Sequence, residues 1–177
     1  MRRVVVVGGA GAGKSTLASQ LGAITGLPVV HIDPMYWRPG WVQREVAETH
    51  AMIREAIRQE SWIFDGNGTS TFTERLARAD TLIFLDVSTP VRLWRVLKRT
   101  IRNHGHVRPD MQQGCPEHFD LGFLLWVAGY ARRGRRAILE LIREPPAGVE
   151  VHHLRGSGAV HAYLTSVRVG LSSCPPA

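Results

Sequence analysis

The eight residues Gly8-Gly9-Ala10-Gly11-Ala12-Gly13-Lys14-Ser15 constrain this chain more than any other feature. They match the pattern of Gly, any four residues, then Gly-Lys-Ser/Thr. The preceding run, Val4 to Val7, is fully apolar, as suits a buried parallel strand. After the loop, Leu17, Leu21 and Ile24 recur at helical spacing. Glycines lack a Cβ, so the loop backbone can adopt positive φ and approach an anion closely. Its N–H groups then form a concave nest, and the helix N-terminus adds about half a positive charge. Lys14 has the reach for β- and γ-phosphates, and the Ser15 hydroxyl suits Mg²⁺. Gly8, Gly9, Ala10, Gly11, Ala12, Gly13, Lys14, Ser15 and Thr16 are therefore the expected binding loop for a nucleoside triphosphate.

Strand and helix patterns alternate along the 177 residues without internal repeat, which predicts an α/β fold with a mainly parallel sheet. Strands are expected at 3–7, 28–32, 61–65, 80–86 and 149–154. Helices are expected near 14–25, 43–59, 71–78, 90–103, 119–143 and 157–166. Thr89 and Pro90 mark the start of the fourth helix. Segment 104–118, with Gly105, Pro109, Gly114 and Pro116, reads as a mobile loop. One domain over 1–170 and a frayed tail over 171–177 follow from this pattern. No apolar run reaches the roughly 20 residues that span a bilayer, so no membrane partner is expected. The N-terminal run is too short for a secretory signal. Cys115 and Cys174 have neither disulfide-framework nor metal-site spacing, which fits a reducing, cytoplasmic setting.

Open α/β sheets bind ligands beyond the carboxyl ends of their strands. Three carboxylates fall there: Asp33 after His31-Ile32, Asp65 before Gly66-Asn67, and Asp86. Asp33 suits an acceptor hydroxyl, as proton acceptor or orienter. Asp65 suits Mg²⁺ alongside Ser15, with Asp86 as the rival. Each also reads as a turn or capping residue, Asp86 above all because Ser88-Thr89-Pro90 follows it. Tyr36, Trp37 and Trp41 crowd the next segment, suited either to stacking on a ligand or to packing under a loop. The eight histidines show no metal-ligand spacing.

The net charge is +7, and removing the two lysines, Lys14 and Lys98, from the 22 basic residues leaves 20 arginines. Arginine grips phosphate with a planar fork. Arg92, Arg95, Arg99 and Arg102 step by three, four and three along the fourth helix. Leu93, Trp94, Leu97 and Ile101 are expected to supply its core face. A second cluster, Arg132-Arg133-Gly134-Arg135-Arg136, follows the loop that carries Arg108. Two basic helices joined by a loop suggest a lid over a triphosphate, at about 99–136, with Arg99, Arg108 and Arg132 as the arginines that act. A solvated amphipathic face accounts for such a stripe equally well.

With these residues placed, the chain resembles the adenylate-kinase-like branch of P-loop kinases, and within it the small bacterial topology modulation proteins. The matching text runs from Gly8 to Thr16, then His31-Ile32-Asp33, Trp37-Arg38-Pro39-Gly40-Trp41 and Asp65-Gly66-Asn67. It continues in Leu93 to Arg99, Arg108-Pro109-Asp110-Met111 and Gly114-Cys115-Pro116-Glu117. The resemblance implies a P-loop sandwich, five strands with the phosphate-loop strand between the third and fourth. It also implies an ATP site bordered by the lid and by Arg155, Gly156 and Ser157 after the last strand. Adenylate kinases follow the third-strand Asp-Gly with Phe-Pro-Arg, whereas this chain has Asn67-Gly68-Thr69. The arginine that would hold the acceptor's phosphate there is missing, as is the lid cysteine set that binds zinc in some relatives.

Two function classes follow. The first is Mg·ATP-dependent phosphoryl transfer to a small acceptor, a nucleotide or another hydroxyl compound. The second is a regulator that binds ATP and associates with nucleic acid through its basic surface. A switch-type NTPase with a protein partner is a weaker third, since short loops leave little effector surface.

Overall fold

The computed structural model describes residues 1–132 and 134–172, so Arg133 of the second basic cluster lies outside the described residues. Five parallel strands form the sheet: β1 (Arg3–Gly8), β2 (Val29–His31), β5 (Trp62–Asp65), β6 (Thr81–Asp86) and β7 (Glu150–Arg155). Their order is β2-β5-β1-β6-β7, which sets the phosphate-loop strand at the centre, between β5 and β6. The α/β expectation holds, with helices on both faces.

The valines of β1 explain the layering. Successive side chains leave a strand on opposite faces, so Val5 and Val7 enter one core while Val4 and Val6 enter the other. The first core joins Trp62, Phe64, Leu82 and Phe84 to Ile53 and Ile57 of α3 (Val46–Arg58) and Leu76 of α4 (Phe72–Arg78). The second takes Leu17, Ala18 and Leu21 of α1 (Lys14–Thr25) and covers them with α8 (Gly156–Ser172). Both faces of each central strand are buried, which is why these strands read as continuous apolar runs.

Four expectations are corrected. Segment 119–143 is two helices, α6 (Leu121–Gly129) and α7 (Gly134–Leu141), separated by a turn at Tyr130–Arg132. The last helix runs on to Ser172, so Leu171 and Ser172 belong to it, while 173–177 lie outside the described residues. Between β2 and α3 the chain forms a one-turn helix, α2 (Asp33–Tyr36), and a small antiparallel hairpin, β3 (Trp37–Arg38) with β4 (Val42–Gln43). Its tight turn places Gly40 and Trp41 at positive φ.

The fourth correction concerns α5 (Thr89–Arg102): of the four apolar residues expected on its core face, Leu93 and Leu97 are half-buried and Trp94 and Ile101 are exposed. Trp94 is 64% exposed and Ile101 70%, whereas Arg92 is 1% exposed and Val96 and Thr100 are buried. Of the basic stripe, Arg92 is buried and Arg99 half-buried, where polar groups await them, while Arg95 and Arg102 stay exposed. Arg92 donates to the Val87, Ala10 and Val127 carbonyls and to the Thr89 hydroxyl, and its guanidinium lies 4.9 Å from the centre of the Tyr130 ring. A buried guanidinium is tolerable when its donors are satisfied in this way.

Candidate functional site

A cavity of about 1110 Å³ opens at the carboxyl ends of β1, β2 and β5. Its walls include the phosphate loop, Asp33, Asp65, Arg99 and Arg108. Loop and helix are fitted to each other: Gly11 has φ +78°, and a Cβ there would stand 2.5 Å from the Arg92 carbonyl oxygen. Gly13, at φ 98°, precedes α1 and leaves that helix N-terminus open to the cavity. Asn67 Oδ1 accepts the Gly8 amide at 3.0 Å and so ties the loop after β5 to the start of the phosphate loop. Lys14 Nζ rests on the Gly9 carbonyl at 3.4 Å. Ala10, Gly11, Gly13, Lys14, Ser15 and Thr16 line the cavity, while Gly8, Gly9 and Ala12 form the loop's buried underside.

Asp65 and His31 end neighbouring strands in register, and their side chains meet at 2.8 Å through His31 Nδ1 and Asp65 Oδ2. A carboxylate only accepts, so Nδ1 carries the proton. The hydrogen bond to Asp65 raises the His31 pKa above 6.5, against the opposing effect of burial. Burial pushes Asp65 upward, yet the His31 hydrogen bond, the Lys14 charge and the nearby Ser15 hydroxyl outweigh it and hold the carboxyl below 3.8. Its second oxygen, Oδ1, is buried without a hydrogen-bond partner. An ionised oxygen left unpaired beside a phosphate-loop serine is the kind of donor Mg²⁺ takes, with phosphate oxygens and waters filling the remaining positions. The residues present therefore fit a magnesium ion held by Ser15 and Asp65. Among the described residues, no group of three or more His, Cys, Asp or Glu forms a ready-made metal cage.

Asp33 opens α2 and is accessible to the water in the cavity, although protein crowds it on most sides. That crowding raises its pKa above 3.8, against the lowering effects of Lys14 and Arg108. Beyond it, the loop 104–118 is anchored rather than loose. Glu117 accepts from Arg99 Nε at 3.0 Å, Arg108 Nε at 2.7 Å and the Thr100 hydroxyl at 3.2 Å. Arg108 also grips both oxygens of Asp110, at 3.0 and 2.9 Å. The hairpin is tied to this loop by Gly40 N to Gly114 O and by Trp41 Nε1 to the Pro116 carbonyl. Trp37 and Trp41 pack edge to face at 5.5 Å in the cavity wall.

Other expected residues stand elsewhere. Arg132 is exposed on the turn after α6 and does not line the cavity. Arg155, Gly156 and Ser157 lie at the β7–α8 junction, also outside that lining. Asp86 is occupied: Arg135 holds both its oxygens at 2.7 and 2.8 Å, and His153 Nε2 lies 2.9 Å away. Sequence reasoning gave no role to Glu117 and Asp110, which organise Arg99 and Arg108. It also passed over Arg75, buried beneath the loop after β5, because nothing in Phe72-Thr73-Glu74-Arg75-Leu76-Ala77-Arg78 separates it from its neighbour Arg78.

No protein-family model and no curated protein matches this sequence. Solved structures do match its shape. A shikimate kinase from Acinetobacter baumannii in complex with shikimate superposes with a TM-score of 0.55 at 16% identity, covering 99% of this chain and 96% of the other. The chain shares their fold, a parallel α/β sandwich with a glycine-rich loop after the central strand. A gluconokinase from Sinorhizobium meliloti 1021 gives 0.53 at 18% identity, covering 97% and 91%. A shikimate kinase from Bacteroides thetaiotaomicron gives 0.54 at 15%, covering 97% and 98%. Within the fold, α5 turns Arg92 inward and sets Arg99 against Glu117, while Arg95 and Arg102 remain exposed. No helix among the described residues is long and apolar enough to cross a membrane.

Proposed function

We propose that this protein is a Mg·ATP-dependent kinase of a small hydroxyl-bearing molecule, in the adenylate-kinase-like branch of the P-loop kinases. The observation that carries the reading is the meeting of Lys14, Ser15, Asp65 and Asp33 on one cavity. The phosphate loop and Lys14 bind the β- and γ-phosphates. Ser15 and Asp65 hold Mg²⁺, which when bound offsets charge on the phosphate oxygens. Asp33 orients the acceptor hydroxyl and receives its proton as the acceptor oxygen bonds to the γ-phosphorus and the bond to the β-phosphate oxygen breaks. A pKa raised by crowding makes Asp33 a better proton acceptor than a free carboxylate.

The segment 99–136 is the lid in this reading. Arg99 and Arg108 stand at its base, and Arg132 approaches the phosphates on closure. Arg155, Gly156 and Ser157 border the nucleotide's base from the far side. Arg95 joins the phosphate side, since its Nη1 reaches the Ala12 carbonyl at 3.2 Å. Closure excludes water and favours the acceptor over hydrolysis.

The test is ADP release from Mg·ATP with and without a panel of nucleosides, nucleotides, sugars and hydroxy acids, with Lys14→Ala as blank. One acceptor raising the rate well above hydrolysis, with Asp33→Asn abolishing the gain, is the expected result. ADP release that ignores every acceptor and survives Asp33→Asn refutes the reading.

A further inference from the structure

We infer that Glu117 is a positioning residue of the nucleotide site: it fixes Arg99 and Arg108, which come from different elements, as one two-armed anion site aimed at the γ-phosphate. This inference rests on the kinase reading and adds a residue to it. It follows from how three side chains share their hydrogen bonds on the wall of the cavity.

Glu117 is 6% exposed and lines the cavity beside both arginines. Arg99, in the last turn of α5, gives Nε and Nη2 to Glu117 Oε1 at 3.0 and 2.8 Å. Arg108, in the loop beyond α5, gives Nε to Glu117 Oε2 at 2.7 Å and Nη1 to both oxygens of Asp110. Each carboxylate oxygen of Glu117 therefore takes one arginine. What remains is Arg99 Nη1 and Arg108 Nη2, neither with a carboxylate partner, on two residues that face the cavity. A guanidinium presents its donors in a fixed planar fork, so binding one edge to Glu117 sets the direction of the other.

Two guanidinium groups at one carboxylate repel each other, and burial together with the Arg108 charge lowers the Arg99 pKa. They stay together only with an anion between them, and Glu117 is that anion. A buried ion pair adds little net stability, because desolvation offsets the attraction; fixed geometry is what it supplies. The backbone points the same way. Glu117 N donates to the His106 carbonyl and Gly105 N donates to the Glu117 carbonyl, both at 2.9 Å, so the loop is closed without the side chain.

The destination of the open donors is marked from the other side of the cavity. Burial raises the Asp33 pKa, and the charges of Lys14 and Arg108 oppose it. The acceptor's carboxylate thus lies within the fields of the phosphate-loop lysine and of this arginine pair, and the transferring group has to pass there. As the acceptor oxygen bonds to the γ-phosphorus, the bond to the β-phosphate oxygen breaks and the acceptor proton passes to Asp33. The equatorial oxygens carry charge throughout, and donors fixed in advance need no reorganisation to meet it.

The test compares, by calorimetry on the whole protein, the affinity for a β,γ-imido analogue of Mg·ATP with that for Mg·ADP. Acceptor-stimulated ADP release is measured in parallel. Glu117→Gln should weaken the analogue about fivefold or more and leave Mg·ADP within about twofold, because only the analogue carries the γ-phosphate. With an acceptor, kcat should fall about tenfold or more. Equal losses for both nucleotides, or no loss for either, overturn the inference and assign Glu117 to loop stability alone. A wild type that no acceptor stimulates refutes the kinase reading, while an analogue-selective loss in the same titrations still upholds the role of Glu117.

In an Arg99→Met/Arg108→Met background, Glu117→Gln should produce no further analogue-selective loss. A full further loss overturns the claim that Glu117 acts through the arginines. Thr100→Val removes the remaining side-chain donor to Glu117 without touching either arginine, and should preserve the ratio of the two affinities. A selective loss there equal to that of Glu117→Gln overturns the inference. If Glu117→Gln does not fold, Glu117→Asp keeps the charge but shortens its reach, and should show the same selectivity at about threefold or more. A ratio unchanged in that variant overturns the inference.

Discussion

Arg92 Nη1 lies 2.5 Å from the point where a Cβ on Gly9 would stand, so the phosphate loop rests directly on a buried guanidinium of α5. Neither residue can change alone. Gly9 leaves room for the arginine, and the arginine satisfies the loop's Ala10 carbonyl together with Val127 of α6. Arg92→Ala should therefore lower stability by about 2–3 kcal/mol through unsatisfied carbonyls and lost packing. Nucleotide affinity should fall with it. Thermal unfolding with and without Mg·ATP checks both effects.

The orientation of α5 is open to a direct test. Trp94→Ala, on the exposed apolar face, should change stability by less than about 0.5 kcal/mol. Val96→Ala, on the buried face, should cost about 1.5–3 kcal/mol. Urea unfolding of the two variants gives the comparison, and a reversed ranking would mean the helix is turned the other way.

Asp65→Asn removes the ionised partner of His31 and the unpaired Oδ1 charge together. Magnesium-dependent tightening of nucleotide binding should disappear, while binding of magnesium-free nucleotide persists through the phosphate loop. Calorimetric titrations with and without Mg²⁺ separate the two. Acceptor-dependent ADP release should drop about a hundredfold or more.

Arg75→Met keeps volume but removes the donors to the Gly66, Asn67 and Gly68 carbonyls. A cost of about 2 kcal/mol or more is expected from the carbonyls left unsatisfied. The loop after β5 should also lose its fixed position, raising the KM for acceptor more than that for ATP. Steady-state kinetics against both substrates reads that split.

Acid stability should carry the mark of Asp80. Burial pushes its carboxyl up, but the Thr81 hydroxyl and the Arg3 and Arg2 amides outweigh this, and its pKa lies below 3.8. A carboxyl with a depressed folded-state pKa stabilises fully above its unfolded value, and the contribution is lost as pH falls through the folded value. Wild type should exceed Asp80→Asn by a constant margin from pH 7 to about 5. The margin should shrink below about pH 4. Denaturation midpoints across that range measure it.

Much of the molecule was legible in local text. The phosphate loop, the central apolar strands and the alternation of β and α depend on neighbours within a few residues, and each was read within two or three residues of its place. Asp33 and Asp65 were legible because the carboxyl ends of parallel strands converge wherever the sheet is formed. Periodicity showed that α5 is amphipathic, yet missed that Arg92, Val96 and Thr100 are its buried residues while Trp94 and Ile101 are exposed. Arg92 looks solvent-facing until backbone carbonyls from distant elements are set around it. The same limit hid Glu117, whose importance lies in being reached by Arg99 and Arg108 from 18 and 9 residues away.

The sequence by itself determined the β1–loop–α1 unit and the class of fold, because those rest on backbone geometry and short-range pattern. Only the tertiary structure decided which arginines are engaged and which carboxylate oxygens stay unpaired. The physical reason is that a charged side chain is defined by its partners, and in this protein those partners come from elements that meet only when the chain has folded.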